Sequence, residues 1–169
     1  MGRIGQAVAK RAKSFGISIH YHNRKAVHPS TEAELEATYW ENVEQMLPRV
    51  DIVSVNCPST TATHHLLNAH RLSLLSSHSY LVNTGRGDVI DELALIELLK
   101  QKKIAGAGLD VTNTEPLQTN SKLLKYENVI ITPHALCWTD ECFHDIATEA
   151  ISSILNFIDK KPILNQVNK

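Results

Sequence analysis

Short β-branched runs alternate with helical patterns from one end of this chain to the other, and no other feature constrains its fold as tightly. Ile4, Val8, Ala12 and Phe15 recur at helical spacing, and Gly16 suits the position just past a helix C-terminus. Ile17 to Tyr21 then reads as a strand, and roughly Asn23 to Glu36 as a polar loop. Trp40 to Leu47 reads as a short helix closed by Pro48, and Asp51 to Asn56 as a strand ending at Cys57-Pro58. A Ser/Thr-rich loop leads to a short helix near Ala69 to Leu75 and a strand at Tyr80 to Asn83. Asp91 can cap a helix running to about Lys102, with Leu95, Leu98 and Leu99 on one face. Ala105 to Leu109 and Val129 to Ile131 are two further strands. The last helix starts near Thr139 and stops before Pro162, with a stripe of Phe143, Ile146, Ala147, Ala150, Ile151, Ile154 and Ile158 expected to be buried. Asp140 and Glu141 suit the positive end of its dipole. This alternation predicts an α/β fold, a doubly wound parallel sheet covered by helices on both faces.

Composition excludes several classes of function. A chain of 169 residues can bury a real core. The net charge of -1 gives no footprint for nucleic acid or an anionic membrane, and Lys10, Arg11 and Lys13 read as a solvated face. Three cysteines, Cys57, Cys137 and Cys142, lack framework spacing and point to free thiols in a reducing compartment. No apolar run approaches the roughly 20 residues that span a bilayer. There is no signal-peptide pattern at the N-terminus, and Gln6 stands where a myristoylation motif wants Ser or Thr, so a cytoplasmic protein is expected. His64-His65 and the Cys137/Cys142 pair lack zinc-site spacing, so no metal is expected.

The charged residues that end the later strands carry the chemistry. Arg86 sits in Asn-Thr-Gly-Arg-Gly-Asp-Val-Ile-Asp, Glu115 in Gly-Leu-Asp-Val-Thr-Asn-Thr-Glu-Pro, and His134 in Ile-Ile-Thr-Pro-His. Open α/β sheets build their sites at the carboxyl ends of strands. An arginine, a carboxylate and a histidine meeting there can bind an anionic carbonyl compound and exchange a proton with it. At the other end of the chain, Gly2-x-x-Gly5 opens a helix, as do the last two glycines of G-x-G-x-x-G, where backbone N–H groups meet a pyrophosphate. About 20 positions on, a dinucleotide fold usually holds an acidic residue against the adenosine ribose. Here that position is Asn23, followed by Arg24 and Lys25. Losing the carboxylate and gaining a guanidinium favours a 2′-phosphate, so NADP is expected over NAD.

These motifs resemble those of the D-isomer-specific 2-hydroxyacid dehydrogenases. The run Gly-Arg-Ile-Gly-Gln-Ala-Val-Ala-Lys-Arg-Ala-Lys-Ser-Phe-Gly is similar to that family's first helix, and the Arg86, Glu115 and His134 segments resemble its three ordered site motifs. The resemblance implies an NAD(P)-dependent oxidoreductase of 2-oxo and 2-hydroxy acids, with glyoxylate/hydroxypyruvate reductases nearest in cofactor chemistry. It implies that Arg86 holds the substrate carboxylate and polarises its carbonyl. His134 would be the general acid for reduction, and Glu115 would hydrogen-bond it. Arg3 and Ile4, flanked by Gly2 and Gly5, would offer N–H groups to the pyrophosphate. Cys57, Pro58, Thr84 and Gly85 would line the cofactor cleft, with Asp110 near the nicotinamide carboxamide. It further implies a homodimer.

The resemblance departs in two places. Ala135-Leu136-Cys137-Trp138 follows His134 where the family carries small residues, which would reshape the pocket. The chain also has about half the family's length. A Rossmann-like domain in residues 1–138 that lacks its first, central strand is therefore expected. Residues 139–169 would form a helix and tail returning to a mostly missing substrate domain. A partial sequence of a full enzyme is the expectation; taken as complete, such a chain would expose two facing strand edges, bind cofactor weakly and show little catalysis. A non-catalytic dinucleotide-binding or dimerisation module is the alternative reading.

Overall fold

The computed structural model describes residues 1–163 and 166. Two compact units divide at Pro133 and His134. The first holds helices α1 (Arg3–Ser14), α2 (Pro29–Leu35), α3 (Val43–Met46), α4 (Ala69–Ser73) and α5 (Glu92–Lys100). Its strands are β1 (Ile19–His22), β2 (Ala37–Trp40), β3 (Ile52–Val55), β4 (Tyr80–Asn83), β5 (Gly106–Leu109) and β6 (Val129–Ile131).

All strand pairs are parallel. β3, β4, β5 and β6 form one sheet in chain order, in a register that places Val53 beside Leu81, Leu81 beside Ala107 and Ala107 beside Val129. β1 and β2 form a second, two-stranded sheet in which Tyr21 pairs with Tyr39. Parallel neighbours need a crossover between them, and α4, α5 and the 3-10 turn at Lys122–Lys125 lie in the crossovers of the larger sheet. One apolar cluster joins that sheet to the elements that cross over it. Leu47, Leu72, Leu81, Val89, Leu95, Ile104 and Leu123 are its fully buried members, while Ile52 and Tyr80, at the strand starts, are exposed.

Local chemistry sets the ends of these elements. Asp91 accepts a hydrogen bond from the Ala94 N–H at 3.1 Å and so caps α5. Gly16 closes α1 at φ +75°, a left-handed conformation that glycine adopts without cost. The polar stretch from Asn23 to Glu36 is not loop throughout, because it contains α2. Pro29 opens that helix, His28 caps it through Ser30, and Leu35 is its one buried residue. Nor does Trp40 begin a helix. It ends β2, whose pairing with β1 overrides local pattern, and α3 starts at Val43 behind the Asn42 cap.

The second unit carries α6 (Asp140–Ile158), capped by Thr139, which accepts from the Cys142 N–H at 3.1 Å. Its apolar stripe is not buried, as Phe143, Ile146, Ile151, Ile154 and Ile158 are all exposed. Among the described residues of its unit α6 is the only helix or strand, and one helix offers no second surface against which to bury a stripe. The end of the 139–169 segment, residues 164, 165 and 167–169, lies outside the described residues. Among the described residues no helix is long and apolar enough to cross a membrane.

Candidate active site

A cavity of about 450 Å³ opens where β3 and β4 end, beside the first turn of α1. Ile4, Asn56, Cys57, Pro58, Ser59, Thr84, Gly85 and Arg86 line it, and of these the family resemblance assigns a role to all but Asn56 and Ser59. Its size suits a small-molecule site. The two strand ends come very close together here. A Cβ on Gly85 would lie 2.9 Å from the Cys57 carbonyl oxygen, so only glycine lets β4 turn away at this point.

A side chain without a role in the sequence reading holds that turn. Asn83, 1% exposed at the end of β4, accepts from the Gly85 N–H at 3.0 Å and donates through Nδ2 to the Arg86 carbonyl at 2.9 Å. Its amide thus closes Thr84 to Arg86 into one fixed loop and sets the backbone from which Arg86 projects. The available signal was an asparagine ending a strand, a poor strand former placed just before Thr-Gly-Arg. The Arg86 side chain is exposed, and Nη1 donates to the Gly85 carbonyl at 2.7 Å.

The arginine loop is packed against the glutamate loop. Gly87 lies so near Thr112 that a Cβ would sit 2.1 Å from its carbonyl carbon. The Thr112 N–H donates to Glu115 Oε1 at 3.2 Å, and the Asn113 N–H donates to Glu92 Oε2 at 3.1 Å. Asp110, buried past the end of β5, donates its N–H to the Asn83 carbonyl at 3.0 Å and accepts from the Thr132 hydroxyl at 2.5 Å. Arg86, Asp110 and Glu115 therefore stand on neighbouring loops that are hydrogen-bonded or in contact. His134 begins the second unit and is exposed, with φ at +55°, a left-handed conformation uncommon outside glycine.

The start of α1 is suited to an anion. Gly2 is its N-cap and makes no side-chain cap, the first turn holds no acidic residue, and a Cβ on Gly2 would meet nothing within 4 Å. The amides of Arg3, Ile4 and Gly5 lie in that first turn, where N–H groups have no partner within the helix. Asn23, Arg24 and Lys25 follow β1 and do not line the cavity. Arg24 and Lys25 are exposed and make no ion pair among the described residues. Burial raises the Cys57 thiol above its ordinary range. Among the described residues no group of three or more His, Cys, Asp or Glu side chains could hold a metal ion.

A parallel α/β unit with a glycine-opened first helix and a cleft at its strand ends is a Rossmann-like dinucleotide-binding domain. Residues 1–135 match the family model described as D-isomer specific 2-hydroxyacid dehydrogenase, NAD binding domain, and the chain belongs to that family. It is 40% identical over 168 residues to a glyoxylate reductase of Thermococcus litoralis, covering 99% of this chain and 50% of that protein. It is 38% identical over 169 residues to a glyoxylate/hydroxypyruvate reductase B of Enterobacter agglomerans, covering 99% of this chain and 52% of that one. Among solved structures it is similar to apo D-mandelate dehydrogenase of Rhodotorula graminis, with a TM-score of 0.92, 33% identity, and coverage of 100% of this chain and 49% of that one. The chain spans about half the length of the curated relatives it matches.

Proposed function

We propose that this chain serves an oxidoreductase that passes a hydride between NADP(H) and a 2-oxo or 2-hydroxy acid, with glyoxylate and hydroxypyruvate as the leading substrates. One observation carries the reading. The Asn83-clamped turn puts Arg86 on the same cavity as Ile4 in the first turn of α1, so a carboxylate-binding guanidinium shares a cleft with a phosphate-binding helix end. The likeness to glyoxylate and glyoxylate/hydroxypyruvate reductases supports the substrate class.

In this reading the amides of Arg3, Ile4 and Gly5, opened by Gly2, hold the pyrophosphate. Cys57, Pro58, Thr84 and Gly85 would line the cofactor cleft, and Asp110 would lie near the nicotinamide carboxamide. The open space at Gly2 and the unsatisfied first turn of α1 fit that group. The nicotinamide, when bound, supplies the hydride. Arg86 pairs with the substrate carboxylate and draws electron density from the adjacent carbonyl. His134 delivers a proton to the carbonyl oxygen during reduction and takes it back during oxidation. Glu115, held by the Thr112 N–H, orients that imidazole. Asn23, Arg24 and Lys25 select the 2′-phosphate, since no carboxylate stands there to repel it. We read residues 1–138 as the dinucleotide-binding domain and 139–169 as a helix and tail belonging partly to a substrate domain, in a homodimer.

The test is NADPH oxidation, with glyoxylate and with hydroxypyruvate, by the protein purified as its source cell makes it. Arg86→Lys is expected to lower kcat/KM roughly 10- to 100-fold, the scale of a lost charged hydrogen bond. His134→Gln is expected to lower turnover roughly 100-fold or more while NADPH still binds. Failure of the wild-type protein to bind NADPH, or wild-type turnover by either variant, would count against the proposal.

A further inference from the structure

The loop from Asn23 to Val27 is tied at both ends by tyrosine hydroxyls. Tyr39 on β2 donates its hydroxyl to the Asn23 carbonyl at 3.1 Å. Tyr21 on β1 accepts from the Val27 N–H at 3.0 Å and donates its own proton to Glu32 in the first turn of α2. Within the loop, Asn23 Nδ2 donates to the Lys25 carbonyl at 3.2 Å. Tyr21 and Tyr39 are register partners, with ring centroids 5.3 Å apart and planes tilted by 47°. Tyr21 is buried, and burial together with Glu32 raises its phenol above the ordinary range, so it remains a neutral donor.

The two basic side chains of this loop are exposed and have no ion pair among the described residues. Nothing at the side-chain level fixes them, so the backbone beneath determines where they stand. A five-residue loop left free would lose conformational entropy whenever a ligand ordered it. Two phenols that pin its ends remove much of that loss beforehand. We propose that Tyr21 and Tyr39 are positioning residues for nucleotide specificity: their hydroxyls pre-set the backbone from which Arg24 and Lys25 engage a 2′-phosphate. This rests on the reading of Asn23 to Lys25 as the phosphate-selecting loop.

The readout is the ratio of NADPH to NADH affinity, measured by equilibrium titration of the purified protein and of Tyr39→Phe, Tyr21→Phe and Arg24→Ala. Phenylalanine keeps each ring and removes only the hydroxyl. Tyr39→Phe loses one neutral hydrogen bond, Tyr21→Phe loses the bond from Val27 and the bond to the Glu32 carboxylate, and the ratio is expected to fall roughly three- to ten-fold or more in either Phe variant. A general loss of structure would weaken both nucleotides together and leave the ratio in place, which would overturn the inference. A wild-type ratio with Tyr39→Phe, alongside a lowered ratio with Arg24→Ala, would also overturn it while leaving the loop's role standing. A wild-type ratio with Arg24→Ala as well would remove the underlying reading and the inference with it. If buried Tyr21→Phe fails to fold, the half-buried Tyr39→Phe decides alone.

Discussion

Replacing Gly87 by alanine tests how the arginine and glutamate loops are joined. The new Cβ would lie 2.1 Å from the Thr112 carbonyl carbon, 2.2 Å from its oxygen and 2.6 Å from the Asn113 nitrogen. Non-bonded carbon atoms rest at roughly 3.5–4.0 Å, so one backbone must withdraw by more than about 1 Å. Neither is free to do so. The Thr112 and Asn113 amides are bonded to Glu115 and Glu92, and the chain before Gly87 is clamped by Asn83. Overpacking of this kind costs about 1–3 kcal/mol and more against rigid neighbours, so we expect a loss of about 3 kcal/mol. In a unit of this size that lowers Tm by roughly 10 °C, readable in thermal and urea denaturation followed by circular dichroism. Gly108→Ala is the control. Its Cβ would find only Val82 Cγ2, at 3.9 Å, so stability should change by less than about 0.5 kcal/mol. A Gly87→Ala protein as stable as wild type, or a Gly108→Ala protein destabilised as much, would refute the packing argument.

Two smaller perturbations follow from the same geometry. Asp91→Ala removes the cap on α5 and should cost about 1 kcal/mol, visible as a lower urea midpoint with an unchanged slope. Cys57 should alkylate more slowly with iodoacetamide than exposed Cys137, and its rate should keep climbing past the pH at which an ordinary thiol levels off. The sign follows from burial, which raises its pKa and so shrinks the thiolate fraction at neutral pH. Peptide mass spectrometry of labelled protein across pH measures both rates.

The pattern of the sequence reaches furthest where an element is bounded by its own chemistry. Tyr80–Asn83 and Val129–Ile131 are legible as strands because turn residues flank short apolar runs. Asp91 and Thr139 announce their helices as caps. The stretch from Asn23 to Trp40 is harder to read, because α2 buries only Leu35 and shows no periodicity. Ion pairs from Lys10 to Glu34 and from Lys13 to Glu36, and the pairing of β2 with β1, define that region, and all are distant in sequence. Periodicity likewise shows which face of α6 is apolar but not what covers it. At the site, Arg86 and Glu115 stand out by type and position. The part played by Asn83 does not, because it consists of two bonds to backbone that spacing cannot reveal.

Hydride transfer can be followed by isotope. The protein purified as its source cell makes it would be mixed with hydroxypyruvate and NADPH carrying deuterium at the transferable position of the nicotinamide, and the organic acid product weighed by mass spectrometry. The expected product is a 2-hydroxy acid that has gained one deuterium at carbon 2. Consumption of the 2-oxo acid without deuterium in the product, or no reduction at all, would contradict hydride transfer.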